Sequence, residues 1–185
     1  KGDVMKATQI VLLIMVLFMF DLAVLPASTL AQSARDINGW NGARWGMTES
    51  ELTAVFKDQI IKTERQYIDN NRLYRELEIS KYAINGTDFK VLFEMGSNDN
   101  KLKSVRLILS PAIAAQFSEF EQLLTAKYGP PSQTDESASR REGRKNSSWL
   151  LPLTKIELLY LIVPGYFYVL NITYTDLSSL SLDKL

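Results

Sequence analysis

The sequence predicts an α+β fold: two successive helix–three-strand units forming an antiparallel sheet of about six strands, with the helices on one face. Three observations carry this. A marked helix start at Thr48 leads into segments of strict alternation, with Phe89, Val91, Phe93 and Met95 in step, then Val105, Leu107 and Leu109. Such alternation is the pattern of half-buried antiparallel strands. A second helix, opened by Ser110-Pro111 and closed by Gly129-Pro130-Pro131, follows at once, and further apolar alternation runs from Trp149 to Tyr174. The half-repeats span about 48–109 and 111–175; element order and length carry the match, without residue-level identity.

Residues 1–31 read as a secretory signal peptide. Lys6 precedes an unbroken apolar run from Ile10 to Phe20, and Thr29-Leu30-Ala31 closes a small-residue stretch. Asp21 and Pro26 interrupt the run, which falls short of the about 20 apolar residues of a spanning helix. A cut after Ala31 leaves residues 32–185 as a single domain by length. The expected product is exported, periplasmic or secreted, and has no membrane span. An uncleaved anchor is the alternative.

Composition removes several kinds of chemistry. The chain has no Cys and no His. An exported protein without Cys has neither a disulfide framework nor thiol catalysis. Without His it lacks the commonest general base and transition-metal ligand, so a Ser-His-Asp triad is impossible. The 21 Lys and Arg residues balance 21 Asp and Glu, which gives no basic footprint for nucleic acid. No phosphate-cradling Gly-rich loop is present and no cofactor is expected.

The elements follow in order. Residues 32–45 form an irregular lead-in anchored by Trp40 and Trp45. Thr48 and Glu51 form a capping box, and Met47 and Leu52 are spaced as a hydrophobic staple. Leu52, Val55 and Phe56 mark the buried helical face. Strands are predicted at Leu73–Tyr82 (with Leu73, Leu77 and Ile79 on one side), Phe89–Met95 and Lys103–Leu109.

The turns set the registers. A loop at Asn98-Asp99-Asn100 pairs Phe93 with Val105 and Val91 with Leu107. A two-residue turn at Asn85-Gly86 would place Lys81 opposite Lys90, so a three-residue loop with Gly86 in a bulge is expected there. Pro111 is expected at the first position of the second helix, whose stripe is Ile113, Phe117, Phe120, Leu123, Leu124 and Tyr128. Ser132 to Ser148 lacks large apolar residues and reads as a long loop. Three more strands are expected at Trp149–Leu153, Lys155–Val163 and Tyr166–Tyr174.

Candidate sites are few. Pairing Val163 with Tyr166 across Pro164-Gly165 puts Leu159, Leu161, Tyr168 and Leu170 on one face, and Ile156, Leu158, Tyr160, Ile162, Phe167 and Val169 on the other. Both faces of that hairpin are then apolar, which suits a central hairpin or an interaction surface. Tyr160, Tyr166, Phe167 and Tyr168 are the candidate partner-binding residues there. Arg140, Arg141, Arg144 and Lys145 form a basic cluster that suits an acidic partner or anionic head groups. Glu76 and Glu78, about 7 Å apart on one strand face, are a minimal carboxylate pair for glycoside hydrolysis. With Glu94 they are also a minimal set for a hard cation. Alternating Glu on a solvated face is the ordinary explanation for both.

Trp45-Gly46-Met47-Thr48, followed by a helix, resembles the helix start of many small uncharacterised exported bacterial proteins. Gly46-Met47-Thr48 is also similar to the helix start of the outer-membrane assembly lipoprotein family, and Lys127-Tyr128-Gly129-Pro130 to the helix end such proteins carry. That group includes β-lactamase-inhibitor-like folds, which pair helices with an antiparallel sheet in repeats. The resemblance implies a non-enzymatic binding or scaffold role in the bacterial envelope. The chain departs from it in having no Cys after the apolar run, and in residues 132–148, so no functional residue carries over.

Three roles follow as expectations. The first is an exported, non-catalytic domain that binds an envelope protein. The second is a binder of a small hydrophobic ligand or lipid in a pocket between helix and sheet. The third, and weakest, is a carboxylate-dependent hydrolase.

Overall fold

The computed structural model describes residues 37–138, 143–163 and 167–178, all within one compact unit, Ala34–Leu185. The expected signal, residues 1–31, lies outside the described residues. The elements are α1 (Glu49–Phe56), β1 (Ile61–Ile68), β2 (Leu73–Ile84), β3 (Thr87–Gly96), β4 (Leu102–Leu109), α2 (Ala114–Tyr128), β5 (Gln133–Ala138), β6 (Gly143–Leu150), β7 (Thr154–Val163) and β8 (Phe167–Asp176). All eight strands form one antiparallel sheet in the order β1-β2-β3-β4-β8-β7-β6-β5.

This is a mainly β fold and corrects the expected α+β arrangement of two helix–three-strand units on six strands. The unexpected strands are polar. β1 is exposed along nearly its whole length, and β5 and β6 occupy the stretch read as a long loop. β1 and β5 are the sheet's edges, held by backbone ladders with little apolar burial and protected from further pairing by charged side chains. β6 is paired on both sides and buries Asn146, Ser147 and Ser148 in place of large apolar residues. Their sequences therefore lack the alternation that marked the inner strands.

Both helices lie on one face of the sheet. Phe56 of α1 packs on Phe93 at 5.1 Å between ring centroids, and Phe120 of α2 meets Phe89 edge-on at 5.0 Å. Phe89 and Phe93 are two alternations apart on β3, hence on the same side. The core continues across that face through Val91, Met95, Val105, Leu107, Leu170, Ile172, Leu158 and Ile156, and ends at Trp149. Each large apolar side chain so buried contributes about 1.5–3 kcal/mol. No described helix is long and apolar enough to cross a membrane.

Local chemistry explains where the elements begin and end. The capping box at α1 is present: the Thr48 N–H donates to Glu51 Oε2 at 2.8 Å, and the Glu51 N–H donates back to Thr48 Oγ1 at 3.4 Å. Leu52 and Phe56 are buried, but Val55 is exposed. Pro111 does not open α2. The helix starts at Ala114, where the Gln116 side chain accepts from the Ile113 N–H at 2.8 Å. Ile113 and Leu123 are exposed, so the α2 stripe narrows to Phe117, Phe120, Leu124 and Tyr128.

The registers are partly as expected. Phe93 pairs with Val105 and Val91 with Leu107. Asn85-Gly86 makes a tight two-residue turn, with both residues at positive φ and Ile84 opposite Thr87. The extra residue that keeps Ile79 on the apolar face sits between Ile79 and Tyr82, inside β2 and not in the loop. A second irregularity at Glu76 puts Tyr74, in place of Leu73, on the apolar face with Leu77. Val163 pairs with Phe167, one residue off the expected register. Pro-Gly favours a turn whose twist suits two-residue hairpins poorly, and the longer connection removes that conflict.

Candidate functional site

The slipped register changes what the last hairpin offers. Tyr160, Ile162, Tyr168, Leu170 and Ile172 now share the helix-covered face. The opposite face carries Leu159, Leu161 and Val169, interrupted by Glu157, Asn171 and Thr173. The two-sided apolar hairpin is thus corrected to one apolar face and one mixed face. Tyr160 is 2% exposed and packs in the core, whereas Tyr168 is 46% exposed. Arg144 is exposed on β6, between Ser137 of β5 and Leu161 of β7. Phe167 opens β8. Tyr166, Arg140 and Arg141 lie outside the described residues.

The carboxylates do not converge. Glu76, in the β2 bulge, takes Lys62 at 2.6 Å and Arg65 at 2.6 Å; both cations also reach Glu49 of α1. Glu78 pairs with Lys90 at 2.6 Å. Glu94 is nearly enclosed, and its Oε1 receives Arg75 at 2.6 Å and Arg106 at 3.1 Å. Each acid is therefore held by its own cations, and the expected Glu76–Glu78 face is split by the bulge. Among the described residues no group of three acidic side chains is placed to hold a metal.

Lys62, with Arg65, depresses the Glu76 carboxyl below its ordinary value of 4.5. A depressed carboxyl stabilises the fold above its unfolded pKa, and that contribution is lost as pH falls through the folded value. Wild type should therefore lose stability below about pH 4.5, and Glu76→Gln should show a smaller loss over that window. Urea midpoints at pH 7 and pH 3.5 measure the difference; equal slopes for the two proteins would discount the pair.

Away from these ion pairs, a cleft of about 490 Å³ opens on the helix-covered face. Small-molecule sites commonly span about 300–1,000 Å³. One wall is the lead-in loop. There the Trp40 N–H donates to Ala43 O and the Ala43 N–H to Trp40 O, both at 2.9 Å. Gly39 enters this loop at φ 127°, and a Cβ on it would lie 1.9 Å from Ala43 O, so only glycine fits. The loop presses the Trp40 ring against Tyr82 at 5.0 Å and Phe56 at 6.1 Å.

The facing wall is α2, through Phe120, Leu123, Leu124, Lys127 and Tyr128. Their three- and four-residue spacing puts them on one helical face. Ile172 and Tyr174 of β8 form the floor, and the end of β2 closes one side. Asn85 Nδ2 donates to Glu119 Oε1 at 2.6 Å, tying that hairpin to α2. Trp149 Nε1 donates to Gly129 O at 2.8 Å and fixes the other end of the helix. Burial raises the Tyr174 phenol well above its ordinary value, and its contacts with Tyr128 act in the same direction.

Lys127 is the one charged side chain among the described residues lining the cleft. The rest are apolar, aromatic or amide groups, a lining that suits an apolar body with few polar atoms. Sequence reasoning did not bring these residues together. Trp40, Tyr128 and Tyr174 stand in three distant segments, and only the position of β8 at the sheet centre joins them. No protein-family model, curated protein or solved structure matches the chain.

Proposed function

We propose that the chain is an exported, non-catalytic binding protein that takes a small hydrophobic ligand in the cleft between α2, the Trp40 loop and β8. The observation that carries this reading is the cleft itself, about 490 Å³ and walled by Trp40, Phe120, Leu124 and Ile172. The dispersed, individually paired carboxylates argue against hydrolysis. The assignment to the bacterial envelope rests on the basic-then-apolar N-terminus and the resemblance of its helix start.

The test is titration with a naphthylamine probe that fluoresces in apolar surroundings. Saturable binding is expected. Leu123→Trp places a larger ring at the exposed rim and should weaken it at least about tenfold, with an unchanged unfolding midpoint. A probe signal that never saturates, or that the variant leaves intact, would overturn the reading.

A second reading, docking of an envelope protein, is favoured by Ile113 and Tyr168, which are 63% and 46% exposed. They adjoin, because the Ala112 N–H donates to Tyr168 O at 3.1 Å. Capture of envelope protein that survives Leu123→Trp and is lost in Tyr168→Ser would favour it.

A further inference from the structure

We infer that the β6–β7 turn is the point at which the protein docks on an anionic lipid surface. The turn alone carries this, whether or not the cleft is occupied. It reads Leu150-Leu151-Pro152-Leu153. Leu150 is 66% exposed and Leu153 39% exposed, and Pro152 is exposed between them. Leu151 is buried, and its N–H donates to Thr154 O at 3.0 Å. Trp149 and Thr154, on either side of the turn, are buried as well. The tip is therefore fixed from below while apolar side chains face solvent.

The surroundings extend the patch and set its charge. The Leu150 N–H donates to Ser132 Oγ at 3.0 Å, which brings up the end of α2, where Pro130 is exposed. Trp45 Nε1 donates to Thr154 Oγ1 at 2.9 Å and sets an indole ring at the base of the turn. Residues 44–47, 127–132 and 149–155 thus meet here. They include three basic residues, Arg44, Lys127 and Lys155, and no acid. Two acids adjoin them, and both are engaged. Glu157 pairs with Lys155 at 3.3 Å. Asp176, opposite Thr154, is buried, and its Oδ1 accepts from the Ser178 N–H at 2.9 Å.

Shape and charge together decide the partner. A stable protein interface must clear about 1,000 Å² with good complementarity, which a turn tip at the end of a sheet does not offer. A bilayer asks only for apolar side chains that reach the acyl region and cations that stay among the head groups. An indole beside them suits the boundary between the two. The position of the turn adds a second reason. The Thr154 hydroxyl donates to Ile37 O, and Ile37 and Lys127 both line the cleft. Docking by the turn sets that end of the cleft at the lipid boundary, where an apolar molecule can pass from bilayer to protein without crossing water.

The chain has no Cys, so Pro152→Cys gives a single site for an environment-sensitive dye. Lys81→Cys, exposed toward the far end of the sheet, is the control. With the full chain and phosphatidylglycerol vesicles, the dye at 152 should shift to the blue and be quenched by brominated acyl chains. The dye at 81 should do neither. Leu150→Ser in the labelled protein should lower the ratio of shifted to unshifted dye about tenfold, the lower end of what one buried Leu supplies. Its unfolding midpoint should be unchanged, since Leu150 packs against little. Phosphatidylcholine should give a smaller ratio, and high salt should remove the difference between the two lipids. A dye at 152 that stays unshifted, or shifts no more than the dye at 81, would overturn the inference. So would a shift that Leu150→Ser leaves intact, or one that phosphatidylcholine reproduces in full.

Discussion

Phe93→Ala should lower the free energy of unfolding by about 3–5 kcal/mol, the usual range for truncating an enclosed aromatic ring. Phe93 is fully buried at the middle of β3. Its ring meets Phe56 of α1 at 5.1 Å and Trp40 of the lead-in loop at 6.5 Å, and its backbone pairs with Leu77 and Val105. Removing the ring leaves a void bounded by three separately fixed elements, so the surroundings can collapse only partly. Urea unfolding gives the comparison, with an unchanged slope required for a pure stability effect. Leu150→Ala is the control, since Leu150 is 66% exposed and its loss should stay within about 0.5 kcal/mol. A Phe93→Ala effect below about 1 kcal/mol would mean that the ring is not enclosed as described.

Gly39→Ala should cost at least about 2 kcal/mol and abolish probe binding in the cleft. The added Cβ would lie 1.9 Å from Ala43 O and 2.7 Å from Arg44 Cα, and both obstacles are backbone. The loop cannot yield without breaking the paired Trp40–Ala43 bonds, and Trp40 is the wall they hold. Gly46→Ala is the matched control. Gly46 also has positive φ, 81°, but a Cβ added there would meet nothing within 4 Å. It should show the backbone strain alone and keep probe binding. Equal losses in both variants would show that the close approach at Gly39 contributes nothing.

The inner strands were legible because each carries one apolar face. Phe89 to Met95 and Val105 to Leu107 alternate cleanly, and Phe93 meets Val105 as expected, although the turn pairs Met95 with Leu102 and a bulge next to Glu94 restores the register that a loop at Asn98-Asp99-Asn100 was expected to set alone. The Thr48–Glu51 cap was legible for a similar reason, being chemistry contained within four residues. The outer strands were not. Gln133 to Ala138 and Ile61 to Ile68 are edges, where polar side chains are an advantage and leave no period to read. Bulges at Glu76 and between Ile79 and Tyr82 also break the parity of β2, so residues counted onto one face fall on two. The cleft was hidden for a third reason: its walls come from residues 37–41, 82–85, 120–128 and 172–174, brought together by tertiary packing alone.

The place of β8 has a consequence for how the chain acquires its structure. β8, the last strand among the described residues, is hydrogen-bonded on both sides, to β4 and to β7. The β1–β4 and β5–β7 ladders link neighbours in sequence and can form early, whereas Val105 must wait for Tyr174. Closing so distant a pair is slow, and until it happens two apolar half-sheets stand with open borders. A nascent chain thus stays unfinished until β8 emerges, and the arrival of that one strand, more than the growth of either half, completes the sheet.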